Sequence, residues 1–227
     1  MAISKEIVVL AASRKRGSLC YAGKEMIGFR FGSWVRPVTS EDGSLALTSI
    51  QTPDGSLPAC LDAITVELDG CCGLSHQTEN WLLCSASSVT RLWRFLPTVI
   101  PLLSDAPDQL WHCGYSGSYG VNDRVPERLS PQYKQSLYMV ELDQFRIRLR
   151  QEFRRKPKLR GCFVYNNTEY ALTVTDPDIE QSMRRKEPGE YVYDPKYRVY
   201  GCISLGLPWR GDCYKLLAAV YLVPKGT

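Results

Sequence analysis

Positively charged side chains are concentrated in one short stretch of this sequence. Eight arginines and lysines lie between residues 146 and 160, where Glu152 is the one acid, so the stretch carries +7 while the whole chain carries +4. The remaining residues therefore sum to −3. A local patch of cations is what binding to phosphate groups requires. The eight cations are Arg146, Arg148, Arg150, Arg154, Arg155, Lys156, Lys158 and Arg160.

The first part of this stretch alternates between apolar and basic residues. Phe145, Ile147 and Leu149 occupy every second position. Because successive side chains of a strand point to opposite faces, the alternation predicts a strand with one buried face and one face of guanidinium groups. A helix would scatter the same arginines around its circumference. The phosphate-binding residues predicted on this strand are Arg146, Arg148 and Arg150.

A second group of cations follows the first apolar run. Residues 7–11 (Ile-Val-Val-Leu-Ala) predict a buried strand, and the polar segment 13–17, which contains a glycine, predicts a loop. We expect the cations of this loop to contact a phosphate backbone. The alternative is an ordinary solvated loop, since charge runs usually face water. The three cations are Arg14, Lys15 and Arg16.

Aromatic residues close to cations are candidates for stacking on bases. The alternating segment 29–38 predicts a hairpin around Gly32 and Ser33, and it includes Trp34. Core packing is the favoured role for Trp34, because aromatic side chains dominate small β cores. Trp209, in a Gly/Pro turn beside Arg210, is the stronger stacking candidate. The further binding candidates are Trp34, Arg36, Trp209, Tyr214 and Lys215.

Catalytic and metal-binding patterns are scarce. The two histidines, His76 and His112, lie in segments without a clear pattern, and the chain has no nucleophile elbow, Walker A sequence or dinucleotide fingerprint. A Ser/His/Asp triad stays open, because triads are recognised by geometry. The nine cysteines form no C-x-x-C pair, so we expect reduced thiols, with Cys71, Cys72 and His76 as the one cluster to test for metal. We expect no catalytic residue, metal or cofactor.

The order of predicted elements indicates a mainly β chain. Residues 5–84 predict short strands separated by turns, and residues 86–112 predict two helices, the first capped by Ser87 or Ser88 and ended by Pro97. A long Gly/Tyr/Ser loop follows, and strands return after residue 135. Asn166-Asn167 predicts a tight hairpin turn, and Asp176 predicts a helix N-cap. The predicted domains are 1–97 and 134–227, with 98–133 as a helical and loop connector.

Several short segments, in the same order along nearly the whole chain, resemble a known family. They are Val9-Leu10-Ala11 with Ser13-Arg14-Lys15, Trp34–Val38, Gln77–Trp81, Val174–Pro177, Cys202–Gly206 and Cys213–Leu216. The family is that of bacterial dual OB-fold domain proteins. The resemblance implies two OB-like small barrels packed together, mainly β with minor α. It also implies nucleic-acid binding, often in genomic contexts of defence against mobile elements, and no enzymatic activity.

The leading hypothesis is a non-enzymatic nucleic-acid-binding module, acting as an accessory or sensor component of a bacterial defence or mobile-element system. One alternative is an adaptor that docks an acidic protein partner through the same basic face, and another is an enzyme subunit acting on nucleic acid. No apolar run approaches the roughly 20 residues needed to cross a bilayer, and the N-terminus lacks the pattern of a signal peptide. We therefore expect a cytoplasmic protein without membrane contact.

Overall fold

Strands dominate the structure, a computed structural model that describes residues 2–15, 18–84, 89–151 and 157–226. The mainly β class predicted from the sequence is confirmed. The chain divides into two compact units, the first formed by Met1–Leu103 with Lys134–Ser136 and the second by Ser104–Tyr133 with Leu137–Thr227. The domain boundaries drawn from the sequence stay a prediction. No helix in the described ranges is long and apolar enough to span a membrane.

Five strands of the first unit close into a barrel. Their order is β1-β2-β3-β5-β4, and β4 pairs back with β1. The β3–β5 pairing is parallel and the other pairings are antiparallel. A closed five-stranded barrel is the architecture of an OB fold. The strands are β1 (Ile3–Lys15), β2 (Ser18–Ile27), β3 (Arg30–Val38), β4 (Asp62–Cys71), β5 (Asn80–Leu83) and an added β6 (Thr90–Arg94), which pairs with β4.

The long first strand makes this closure possible. Residues 3–8 of β1 pair with β4, whereas residues 7–15 pair with β2, and the register shifts between Val9 and Ala11. Such a bulge bends a strand, which lets β1 serve both neighbours. On β2, a Cβ at Gly23 would lie 2.1 Å from the carbonyl oxygen of Val8, so the close approach of the two strands requires glycine there.

Three sequence predictions fail in the first unit. The β2–β3 turn lies at Gly28 and Phe29, not at Gly32, because Gly28 takes the positive φ of +60° that the turn needs. β1 extends through Lys15, so the predicted basic loop is mostly strand. Residues 90–94 form a strand rather than a helix, since pairing with β4 satisfies their backbone groups, and Pro97–Leu103 is a 3₁₀ helix. Ser87 and Ser88 lie outside the described residues.

The second unit repeats the pairing pattern of the first. β8 and β9 are separated by Leu142 alone, and taken together they act as one bent first strand. This strand pairs with β10 and β13, β10 pairs with β11, β11 runs parallel to β14, and β14 pairs with β13. The strands are β7 (Arg124–Pro126), β8 (Leu137–Glu141), β9 (Asp143–Arg150), β10 (Lys158–Tyr165), β11 (Thr168–Val174), β12 (Gly189–Val192), β13 (Tyr197–Leu205) and β14 (Asp212–Pro224).

Local sequence signals in the second unit give the predicted structures. Asn166 and Asn167 take φ values of 44° and 59° in the β10–β11 turn. Asp176 caps helix α1 (Pro177–Met183) by accepting hydrogen bonds from the backbone N–H groups of Asp178 and Ile179 at 2.9 and 3.2 Å. The helix predicted toward Trp111 is absent: residues 104–123, all described, contain bends, a turn, irregular segments and an isolated β-bridge from Val121 to Ala171, but no helix.

A buried ion pair lies within the first unit. Arg36 on β3 contacts Glu79 at 3.1 Å, and both side chains are almost fully buried. The Arg36 guanidinium also donates to Ser136 Oγ at 2.9 Å, while the Ser136 hydroxyl donates to Glu79. A charge removed from water in this way is tolerated only when its partner is present.

Replacing one member of this pair should therefore cost more than replacing both. We expect Arg36→Met to lower the free energy of unfolding by about 3–5 kcal/mol, because it leaves the Glu79 carboxylate buried and unpaired. The double variant Arg36→Met/Glu79→Leu should recover a substantial part of that loss. Urea unfolding measures all three proteins, and a double variant as unstable as the single one would contradict the interpretation.

Candidate nucleic-acid interface

The β9–β10 ladder places cations directly opposite cations. Arg148 pairs in register with Arg160, and Arg150 pairs with Lys158. The apolar residues between the arginines of β9 face the core, as predicted, so Arg146, Arg148 and Arg150 share the outer face. Like charges directly opposite each other destabilise a sheet. The arrangement therefore needs counter-charges from elsewhere in the unit or from a ligand.

Two carboxylates supply part of the counter-charge. Glu190 on β12 contacts Arg146 at 3.1 Å and Arg148 at 2.7 Å. Its hydrogen bond from Arg148 is the main cause of the lowered pKa of Glu190. Asp123, which is buried, contacts Arg160 at 3.0 Å. Among the described residues, the outer face of β9 and β10 thus carries five cations, and these two carboxylates contact three of them, Arg146, Arg148 and Arg160.

A cleft of about 90 Å³ opens at one end of this face. The guanidinium carbon of Arg150 lies 5.0 Å from the centroid of the Tyr119 ring, and Lys158 Nζ lies 5.1 Å from it. Tyr119 is about half exposed. A cleft with cations and an exposed ring fits a phosphate group and an adjoining base. Its lining residues are Tyr119, Arg150, Gln151, Lys158 and Arg160.

The loop before β7 holds Tyr119 in this cleft. The Asp123 carboxylate accepts a 2.6 Å hydrogen bond from the backbone N–H of Gly117 while it pairs with Arg160. Asn122 donates to the carbonyl of Glu169 on β11 at 2.9 Å. The Gly/Tyr/Ser pattern of this loop alone suits either a functional role or a role in covering the core. The buried carboxylate of Asp123 thus links the loop to Arg160 on β10.

An aromatic pair lies at the connection between β13 and β14. The rings of Trp209 and Tyr214 have centroids 5.9 Å apart, and Trp209 is about half exposed. The guanidinium of Arg210 lies 4.6 Å from the centroid of the Trp209 ring. β7 connects this pair with the cleft, because Arg124 is opposite Tyr214 in register while its neighbour Asp123 pairs with Arg160.

Other candidates from the sequence are buried. Trp34 is 5% exposed, with Lys24 Nζ at 5.5 Å from its ring centroid, and Arg36 pairs with Glu79. Lys215 is 1% exposed and donates to the carbonyl of His112 at 2.8 Å. Three candidates therefore pack inside their units. The sequence pattern does not separate these inward-facing residues from the outward-facing ones.

The remaining basic candidates lie at the β1–β2 connection of the first unit. Arg14 and Lys15 belong to β1, in register with Leu19 and Ser18, and Arg16 lies outside the described residues. The candidate metal cluster does not assemble. His76 is fully buried while Cys71 is exposed, and within the described ranges no group of three His, Cys, Asp or Glu side chains could hold a metal ion.

Comparisons with known proteins give one match to a family. A family model described as a dual OB-containing domain matches residues 5–220. Among solved structures, tetrameric p202 HIN2 is 9% identical, with 98% of this chain and 91% of that chain covered and a TM-score of 0.31. A murine DNA-binding protein bound with double-stranded DNA is 8% identical, with 99% of each chain covered and a TM-score of 0.29. Structural similarity at these TM-scores is too weak to indicate a function. No curated protein matches.

The loop that carries Tyr119 should not tolerate a side chain at Gly120. A Cβ there would lie 1.9 Å from Asp123 Oδ2, so the carboxylate would have to move away from Gly117 and Arg160. We expect Gly120→Ala to lower the free energy of unfolding by about 1–3 kcal/mol, the usual cost of overpacking. Thermal unfolding measures it. Gly189→Ala, which meets nothing within 4 Å, is the control and should be close to neutral.

The buried Lys215 should make stability depend on pH. Burial lowers the pKa of Lys215 from its usual 10.5 to about 8. Below pH 8 the folded protein must hold a buried ammonium group, and this cost disappears as pH rises from 8 toward 10.5. Relative to Lys215→Met, the wild type should gain up to about 3 kcal/mol of unfolding free energy over that interval. Urea unfolding of both proteins at several pH values measures the difference, and a constant difference would contradict the assignment.

Proposed function

We propose a nucleic-acid-binding function for this chain, which belongs to the dual OB-containing domain family. OB folds bind oligonucleotides with the face of their second and third strands and with the loops between strands 1 and 2 and between strands 4 and 5. In the second unit these correspond to β10 and β11, the β9–β10 connection and the β13–β14 connection. The cleft lined by Tyr119, Arg150, Gln151, Lys158 and Arg160 lies beside the β9–β10 connection. The Trp209–Tyr214 pair lies at the β13–β14 connection.

The observation that carries the proposal is the register of β9 and β10. Arg150 faces Lys158 across the ladder, and Arg148 faces Arg160. A phosphate backbone along this face would relieve the repulsion among these cations, and Tyr119, Trp209 and Tyr214 would supply stacking surfaces. Arg14, Lys15 and Arg16 are proposed as further phosphate contacts at the corresponding β1–β2 connection of the first unit.

The finer role is also a proposal. The family resemblance supports an accessory or sensor component of a bacterial defence or mobile-element system, acting in the cytoplasm without catalysis of its own. The same basic face would serve an adaptor that docks an acidic protein partner. A nuclease or deaminase assay on the isolated chain tests the third alternative, an enzyme subunit acting on nucleic acid.

Salt dependence tests the basic face directly. Each phosphate contact on a single strand contributes about 0.7 to the negative slope of log affinity against log salt. We expect Arg150→Ser/Lys158→Ser to weaken binding of a labelled oligonucleotide and to flatten this slope by roughly 1.4, because two cations are lost. Fluorescence anisotropy at three or more salt concentrations measures both quantities for single-stranded and duplex DNA and RNA.

The matched control removes two cations from elsewhere in the same unit. Arg184 and Arg185 are exposed beyond the end of α1. Arg184→Ser/Arg185→Ser changes the net charge by the same amount and should leave the slope within about 0.3 of the wild type. Equal effects of the two double variants would contradict a local site. The adaptor would be favoured if the wild type binds no oligonucleotide but captures an acidic protein in a pull-down, and Arg150→Ser/Lys158→Ser fails to capture that protein.

A further inference from the structure

A cluster of aromatic side chains lies on the surface of the first unit. It is not part of the proposed phosphate-binding face of β9 and β10. Phe29, in the β2–β3 turn, is fully exposed, and Trp93 on β6 is 49% exposed. Phe31 on β3, two residues after Phe29, and Phe95, two residues after Trp93, are half-buried. The Phe31 and Phe95 rings are 6.0 Å apart in an edge-to-face arrangement, and the Trp93 and Phe95 rings are 5.9 Å apart. We call Phe29, Phe31, Trp93 and Phe95 the aromatic cluster.

Formation of the barrel does not explain why these rings are exposed to solvent. β6 is added to the five barrel strands through β4, and all of its residues are exposed. Phe29 occupies a turn position that a polar residue could fill equally well. Exposed apolar patches on a folded domain can mark a binding surface. The cluster therefore needs a ligand whose chemistry matches flat rings.

The charges beside the cluster are positive. Arg30, between Phe29 and Phe31 in the sequence, is exposed. Arg91 and Arg94 both pair with the single carboxylate of Asp62, at 2.9 and 2.6 Å, and Asp62 is fully buried. Exposed aromatic rings beside arginines match the surfaces on which single-stranded nucleic acids stack their bases.

We propose that the aromatic cluster stacks unpaired bases, which makes single-stranded nucleic acid the ligand class of this protein. The inference rests on the proposed function and adds a second contact to it, on a different unit and of a different kind. The bases of a duplex stack on one another and are not available to the rings. The cluster therefore discriminates by base exposure, whereas the basic face binds phosphates of any strand.

The experiment compares the full-length wild type with Phe29→Ser/Trp93→Ser. The probes are a fluorescein-labelled mixed-sequence 20-mer and the duplex formed with its complement, titrated by anisotropy at two salt concentrations. We expect the double variant to bind the single strand at least fivefold more weakly, with an unchanged salt slope because no cation is lost. Duplex binding should change less than twofold. Trp93→Phe alone should keep most of the affinity, since it keeps a ring.

Leu102→Ser is the matched control, because Leu102 is an exposed apolar residue of the first unit outside the cluster. It should bind both probes like the wild type, and circular dichroism should show all variants folded. Unchanged single-strand binding by Phe29→Ser/Trp93→Ser, while Arg150→Ser/Lys158→Ser weakens it, overturns the inference and leaves the proposed function standing. Equal losses for single strand and duplex also overturn it. A wild type that binds neither probe overturns both proposals.

Discussion

The pairing of β9 with β10 constrains the rest of the second unit. The core needs Phe145, Ile147 and Leu149 on one face of β9. Gly161 lies opposite Ile147, and only glycine fits there, because a Cβ would come within 2.4 Å of Leu217. This register determines which side chains of β9 and β10 face outward. Arg148 meets Arg160, and Arg150 meets Lys158, so packing on the inside imposes charge repulsion on the outside.

Arg36 and the arginines of β9 form two different kinds of ion pair. In the first unit Arg36 is enclosed with Glu79 and Ser136, and every polar contact that holds it comes from the same unit. In the second unit Glu190 is shared between two arginines and is itself half exposed, so its screening of Arg146 and Arg148 is weak in water. The buried pair is shielded from any ligand, whereas an exposed array of cations keeps an attraction for anions.

Local pattern was enough to predict much of this fold. Alternation predicted β9, paired asparagines predicted the β10–β11 turn, and Asp176 predicted the cap of α1, because each of these signals lies within a few neighbouring residues. Contacts distant in sequence were not accessible to such reasoning. Glu190 lies 42 residues from Arg148 and Asp123 lies 37 residues from Arg160, so the counter-charges of the basic strand became visible only in three dimensions.

The same limit explains the helix wrongly predicted before Pro97 in the first unit. Leu92, Trp93 and Phe95 have a spacing that suits a helix, yet pairing with β4 makes residues 90–94 a strand, because tertiary context overrides weak local propensity. That pairing also turns an apparently ordinary apolar segment into an exposed strand. Stacking on these rings, as proposed, requires unpaired bases, whereas contacts between cations and phosphates are open to any strand, so selectivity for single strands would come from the rings and not from the cations.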